Sequence, residues 1–414
     1  VTVQASGPAR PRVRFNPFSA EFRCDPYPMY RELRLSAPVH KTLGMWVLTR
    51  HADVKAVLLD RSFSAGLIPQ LVSARAERLG QSDVGRIERL GRKSLVFTDN
   101  PDHARLRGLV NRVFTASAVA ELRPVATAVA TRLLDSARAA GSLDIIADFA
   151  GPLPISVLCE WMALPGELRT RVGPWTHDIR FLLEPGLMTA ADFARVREVV
   201  EEFAAALAEV LAARRRRPGA DLISRLCATR TGGGDALSEE ELIFVCIMCF
   251  VAGNETTKSL IGNGALALLR HPDQAALLRN DPENARAVVA ETLRYDCPLQ
   301  LTKRSATRDV EVGGQLIRAG DQVLVCLGAA NRDPEIFAEP DRFDLTRGAS
   351  GHLAFGHGMH GCLGGQLAEL VAEVAFAHLR TVEMTPLADE FDWQDHSFIV
   401  RGLRSLPVRI RDVA

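Results

Sequence analysis

Apolar residues recur every three or four positions through most of this chain, the spacing of a single buried helix face. The segments "AVAELRPVATAVATRLLDSARAAG" and "ADFARVREVVEEFAAALAEVLAARRRR" carry the pattern in sequence rich in alanine, leucine and arginine. The run Arg214 to Arg217 ending the second reads as a solvated helix terminus, where cations suit the carboxyl-terminal dipole. The longest helix is predicted over "LSEEELIFVCIMCFVAGNETTKSLIGNGALALLRHP", with Ser238 and Glu241 as a capping box and Pro272 limiting its far end. From there to Arg270 it would span roughly 50 Å. Its middle carries "AGNETT", where Gly253 and a run of polar side chains interrupt an apolar face, and this break predicts a groove with polar groups. A second helix is predicted over "DPENARAVVAETLRYDCP", capped by Asp281, with Pro282 in its first position and Pro298 as its stop. Glu291 and Arg294 lie three apart on it and share a face.

Alternating, strand-like sequence is scarcer. "PVHKTLGMWVLTR" alternates around a glycine, and Val310–Val312 and Gln315–Ile317, joined by Gly313-Gly314, give a strong hairpin signal. No internal repeat is present. The pattern predicts one mostly helical body with small sheets, not alternating strand–helix units.

Composition adds mainly exclusions. The 414 residues hold 50 basic and 50 acidic side chains, so no global charge draws the chain to nucleic acid or an anionic membrane. No run reaches the ~18 consecutive apolar residues of a membrane helix. The amino terminus lacks the apolar core of a signal peptide. A cytoplasmic protein without membrane insertion is the expectation. The eight cysteines are too sparse for a disulfide framework, and Cys246 and Cys249, a C-x-x-C pair inside "LIFVCIMCFVAG", read as core packing.

The chemistry concentrates in "AFGHGMHGCLGGQLAEL", from Ala354 to Leu370. Phe355, Gly356, Gly358, Gly361, Gly364 and Gly365 surround Cys362 just before a helical segment. Glycines let backbone lie against a flat ligand. A cysteine at a helix start meets free amides and the positive dipole end, which favour thiolate, the state required of an axial ligand to haem iron. His352, His357, His360 and Cys362 do not follow common structural-zinc spacings, the G-K-[ST] ending of a P-loop is missing, and so is the C-x-x-C-H of a c-type haem. On its own the stretch reads as a metal or haem site.

"FGHGMHGCLG" resembles the haem-binding loop of the cytochrome P450 family, F-G-x-G-x-H-x-C-x-G. Four more motifs follow the family's order: "NPDHARLR", similar to the helix that holds a haem propionate; "AGNETT", similar to the oxygen-activating signature; "ETLR", matching E-x-x-R; and "PDRF" at Pro340–Phe343. The resemblance spans nearly the whole chain. It implies a mainly α, single-domain fold over residues 1–414 shaped as a triangular prism, with haem b between the long central helix and the helix after the cysteine, and with residues 1–15 as a flexible tail.

Carried over by residue, the resemblance makes Cys362 the axial thiolate. His103, Arg107, Arg304 and His360 hold the propionates, with Phe355 and Gly364 also at the cofactor. Glu255 and Thr256 become the distal acid and alcohol, Thr256 hydrogen-bonding dioxygen and Glu255 relaying protons through water. Glutamate stands where many members have aspartate. Glu291, Arg294 and Arg342 form a buried structural ionic cluster. Gln366 and Glu369 depart from the alanine and arginine frequent after the cysteine.

The implied activity is monooxygenation of a hydrophobic small molecule, by hydroxylation or epoxidation in secondary-metabolite biosynthesis. The electrons derive from NAD(P)H and arrive through a ferredoxin reductase and a ferredoxin, with Arg105, Arg112 and Arg347 as candidate docking cations. The substrate is either free or tethered to a carrier protein. Its pocket draws on Ser62 to Phe97, Trp175 to Met188, Phe250, Val251, Leu299 to Thr302 and Ser397 to Val400 with Phe398 and Ile399, a mostly apolar set. A peroxide-driven haem-thiolate enzyme and a haem sensor or ligand carrier without turnover are the alternatives.

Overall fold

The capping box at Ser238 starts the element around which the molecule is built. In the computed structural model, which describes residues 15–81, 84–348 and 350–413, the Ser238 hydroxyl accepts from the Glu241 amide and the Glu241 carboxylate accepts from the Ser238 amide. Eight of the helices position the site: α1 (His51–Leu59), α2 (Asp102–Asn111), α3 (Pro152–Trp161), α4 (Gly166–Ile179), α5 (Ala190–Arg216), α6 (Glu239–Arg270), α7 (Asn284–Tyr295) and α8 (Gly365–Leu379). The 32 residues of α6 run without interruption through "AGNETT". Apolar side chains all around α6 are buried, as expected for a helix enclosed by others. It packs on α3, α4, α5, α7 and α8. By length and composition α6 could cross a membrane, but 72% of its most apolar window is buried inside the protein.

The helix predicted from Asp281 starts later, at Asn284. The Asp281 carboxylate accepts from the Glu283 amide at 2.9 Å, a turn that precedes the helix rather than capping it. Arg214 is also less free than expected, donating to the Ala163 carbonyl at 2.7 Å.

The strands are β1 (Val39–Thr42), β2 (Met45–Leu48), β3 (Phe63–Ser64), β4 (Ser142–Asp144), β5 (Leu301–Ala306), β6 (Val310–Val312), β7 (Gln315–Ile317), β8 (Gln322–Cys326), β9 (Val382–Pro386) and β10 (Pro407–Asp412). The largest sheet has the order β1-β2-β8-β5-β3, in which β2 and β8 run parallel. β6 and β7 form the predicted hairpin, and Gly313 and Gly314 supply the positive φ angles of 54° and 75° that its two-residue turn demands.

Of the expected tail, residues 1–14 lie outside the described residues, and Phe15 does not belong to it: it is buried, its ring 5.4 Å edge-on from that of Phe22. Cys246 and Cys249 lie within α6, where burial pushes both thiols up, Cys249 to about 12; Cys246 is a core side chain as expected, whereas Cys249 is half-buried and lines an internal cavity.

Candidate active site

The glycine-rich loop before α8 folds back on itself. The Gly356 amide donates to the Leu353 carbonyl at 2.8 Å and the Cys362 amide to the Phe355 carbonyl at 2.8 Å, so the cysteine emerges at a fixed point. Gly358 has φ +71°, and a Cβ there would come 2.8 Å from the Leu58 carbonyl, so only glycine seats the loop on the end of α1. Cys362 is exposed, and the surface it presents opens on an internal cavity of about 390 Å³. Burial pushes its thiol up, while the Gly364 amide and Arg107 pull the other way. The helix start alone therefore does not make the thiolate; a cation at the sulfur would.

Gly253, Glu255 and Thr256 of α6 line the same cavity. The Thr256 hydroxyl donates to the Ala252 carbonyl at 2.7 Å, one turn back. Glu255 is buried and paired with Lys258 at 2.7 Å. Burial works to raise its carboxyl, but Lys258, Arg180 and His177 outweigh that and hold it below the usual range.

A third group converges from separate elements: His103 and Arg107 from α2, Arg304 from β5, and His360 from the loop. The His103 and His360 rings lie 4.4 Å apart. His103 Nε2 and both ring nitrogens of His360 are buried without a hydrogen-bond partner, although His360 Nε2 stands 3.4 Å from Asp99. Burial pushes His103 down to about 4, with His360 and Arg107 adding to the effect. Arg107 donates to the Gly361 carbonyl at 2.9 Å. Arg304 is buried and pushed down to about 10, donating only to the Thr302 hydroxyl at 3.2 Å and the Lys303 carbonyl at 2.7 Å. Buried donors with so little negative charge beside them fit the carboxylates of a haem propionate edge. Asp99, the one acid here, was not legible in the sequence; it accepts from the Ser64 hydroxyl and, at 3.2 Å, the Ala65 amide.

The sequence model of the family described as Cytochrome P450 matches residues 178–381. Cytochrome P450 107B1 of Saccharopolyspora erythraea is 39% identical over 409 residues, covering 95% of this chain and 96% of that protein. The 6-deoxyerythronolide B hydroxylase of the same organism is 37% identical over 403 residues, covering 95% and 98%. This chain belongs to the cytochrome P450 family. Among solved structures, that of CalO2 superposes with a TM-score of 0.89 at 35% identity, covering 97% of this chain and 99% of that one. P450BioI, solved with an acyl carrier protein bearing hexadec-9Z-enoic acid, gives 0.86 at 32% identity, covering 95% and 99%. Membership carries the P450 fold, haem iron, a redox partner and O₂-dependent monooxygenation.

The P450 ionic cluster differs from expectation in one member. Arg294 is fully buried and grips Glu291 with two bonds, Nε to Oε2 at 2.8 Å and Nη2 to Oε1 at 2.7 Å. The third member is Arg347, whose Nε lies 3.3 Å from Glu291 Oε1. Arg342 points outward, 56% exposed, toward Glu339 and Asp344, and contributes only its carbonyl, which accepts from Arg294 at 2.9 Å. A turn closed by the Arg342 amide on the Glu339 carbonyl at 3.0 Å brings the Arg342 carbonyl to Arg294 and leaves its side chain in water. Arg347 is thereby unsuited to docking a donor, and Arg105 is engaged by Asp235 at 3.1 Å and by Glu241. Arg112 remains exposed.

The pocket also differs. Val251, Leu299 and Ile399 line the cavity, but Phe250 and Phe398 do not. Phe250 lies in the core against Phe203, at 5.9 Å between ring centroids, and Phe398 packs on Phe18 at 4.8 Å. Polar groups line it as well: Arg180 and Glu184, which fall within the expected Trp175 to Met188 span, and Lys303, Gln394 and His396, which lie outside every expected segment. None belongs to a motif.

Proposed function

We propose that this P450 oxidises a largely apolar small molecule of secondary metabolism, holding haem b by Cys362 and taking NAD(P)H-derived electrons through a ferredoxin reductase and a ferredoxin in the cytoplasm. Names such as 6-deoxyerythronolide B hydroxylase among its relatives support the metabolic setting. The observation that carries the reading is an exposed cysteine, Cys362, on a glycine-bared loop, sharing a largely apolar cavity with Glu255 and Thr256. When bound, thiolate-ligated haem iron supplies the O₂ chemistry that inserts one oxygen atom into the substrate and releases the other as water. Cys362 supplies the thiolate. His103, Arg107, Arg304 and His360 hold the propionates by charge-assisted hydrogen bonds, and Phe355 and Gly364 frame the loop against the porphyrin. Thr256 donates and accepts a proton at Oγ1. Glu255, kept ionised by Lys258, resupplies that proton through water. Chain and fold continuity across 414 residues support one folded unit.

Two variants test this. Cys362→Ala should abolish the strongly red-shifted Soret band of the reduced carbonyl complex; survival of that band would refute the ligand assignment. Thr256→Ala should keep the band but divert NAD(P)H electrons to peroxide, and unchanged coupling would remove Thr256 from the proton path.

A further inference from the structure

The cavity holds a cation without an ion pair of its own. Arg180 directly follows α4, lines the cavity and is 8% exposed. Its Nη1 donates to the His177 carbonyl, and its guanidinium lies 4.3 Å from the centre of the Phe181 ring. Its Nε is buried without a hydrogen-bond partner. Among the described residues no carboxylate pairs with it within 4.0 Å.

Each acid near Arg180 is already engaged. Glu255 is paired with Lys258 at 2.7 Å, and Asp178 with Arg195 at 2.9 Å. Asp192 closes the amino-terminal cap of α5. Glu184 accepts from the Ser397 hydroxyl and, at 3.0 Å, from the Phe398 amide. His177 and His396 are both pushed down by burial, His396 to about 4, so they add no charge at neutral pH. Lys303, on β5, lines the same cavity, is without an ion pair among the described residues, and feels Glu184 as Arg180 does. Of the charged side chains that line the cavity here, Arg180 and Lys303 are without an ion pair among the described residues, and Glu184 is the one carboxylate not held by a cation. A buried cation without a partner is costly, and Glu255 does not need Arg180 because Lys258 already neutralises it.

We propose that Arg180, flanked by Lys303, anchors the carboxylate of an otherwise apolar substrate, so that the preferred ligand is a free amphiphilic acid. The guanidinium fork matches a carboxylate with two donors, one of which is the unpartnered Nε. The remaining wall, including Ile68, Leu158, Val251, Leu299 and Ile399, takes the hydrocarbon body. A thioester on a carrier protein would not offer the charge that this site completes. The inference rests on the cavity's role as the substrate pocket.

The test uses purified holoenzyme and a series of straight-chain acids from decanoate to hexadecanoate, each with its methyl ester. Affinity is read from the ferric spin-state shift and, independently, by calorimetry. At least one acid should bind roughly 10- to 100-fold more tightly than its ester, the range of a charge-assisted hydrogen bond. Arg180→Gln should erase that difference and Arg180→Lys should restore part of it. Esters binding as tightly as acids throughout, or a preference that survives Arg180→Gln, would overturn the proposal. Reduced carbonyl spectra of the same samples separate the two readings. A red-shifted Soret band without acid preference sinks this inference alone, whereas a missing band sinks the haem-thiolate assignment beneath it.

Discussion

Arg294 offers the sharpest quantitative test of the core. Besides its two bonds to Glu291, its guanidinium donates to the carbonyls of Pro340 at 2.7 Å, Arg342 at 2.9 Å and Asn331 at 3.3 Å. Arg294→Met removes one member of a buried ion pair, a loss of about 3–5 kcal/mol. Arg347 at 3.3 Å and the Asp344 amide at 3.0 Å still face Glu291, which favours the lower end of that range. Pro340 is half-buried and Arg342 exposed, so water can reach their carbonyls once the guanidinium is gone, whereas Asn331 is fully buried, so its carbonyl adds about 1 kcal/mol. The sum is about 4 kcal/mol, a large share of the ~5–15 kcal/mol typical of folded proteins. Arg294→Lys keeps the charge but not the fork and should cost about 2 kcal/mol. Arg347→Met, losing the Glu291 contact and bonds to the carbonyls of Ala338 at 2.5 Å and Glu339 at 3.1 Å from a side chain 15% exposed, should cost about 1–2 kcal/mol. Arg342→Met, at an exposed site, should stay within about 0.5 kcal/mol. Urea denaturation of the holoenzyme, followed by circular dichroism at fixed protein and haem concentration, gives the order directly. If Arg342→Met cost as much as Arg347→Met, or if Arg294→Lys matched wild type, the assignment of the cluster would be wrong.

Two further outcomes test packing and titration. A Cβ at Gly264 of α6 would come 2.5 Å from Phe376 and 2.8 Å from the Thr292 hydroxyl, so Gly264→Ala should destabilise by about 1–2 kcal/mol despite its better helix propensity; an unchanged thermal midpoint would show slack between α6, α7 and α8. Burial acts to raise the Asp144 carboxyl, but the Ser405 hydroxyl and the amides of Leu406, Ala147 and Ile146 overcome it and leave the group below its ordinary value of 3.8. A depressed folded-state value stabilises above the unfolded one, so the thermal advantage of wild type over Asp144→Ala should hold above pH 3.8 and shrink as pH falls through the lower folded-state value. An advantage that persisted unchanged into stronger acid would contradict this.

What the sequence made legible was local. The Ser238–Glu241 box placed the start of α6, and Gly313-Gly314 placed a hairpin, because each signal is complete within four residues. Cys362, Glu255, Thr256 and Glu291–Arg294 were found as motifs, and the structure brings the first three to one cavity. Choices between near-equivalent residues were not legible. "PDRFDLTR" offers both Arg342 and Arg347, and only the direction of the backbone decides which guanidinium turns inward. Phe250 and Phe398 look like pocket residues by neighbourhood, but α6 rotates one toward Phe203 and Phe18 covers the other. Arg180 fell within the expected Trp175 to Met188 span, but its lack of an ion pair was invisible for a different reason. Whether a cation is compensated depends on which acids are already engaged; Glu255–Lys258 is legible as an i,i+3 pair, but Asp178 and Glu184 find their partners through contacts that spacing does not record.

The wall of the cavity runs from Leu58 to Val400, and the sheet that lends it β5 joins residues 45–48 to residues 322–325 side by side. Contacts so distant along the chain close late, because the intervening segment must be ordered before they reward it. On the ribosome, no amino-terminal intermediate owns more than a fragment of the porphyrin's berth. Haem capture is therefore an event of the nearly finished polypeptide, and a chain cut short of Cys362 should be released as colourless apoprotein.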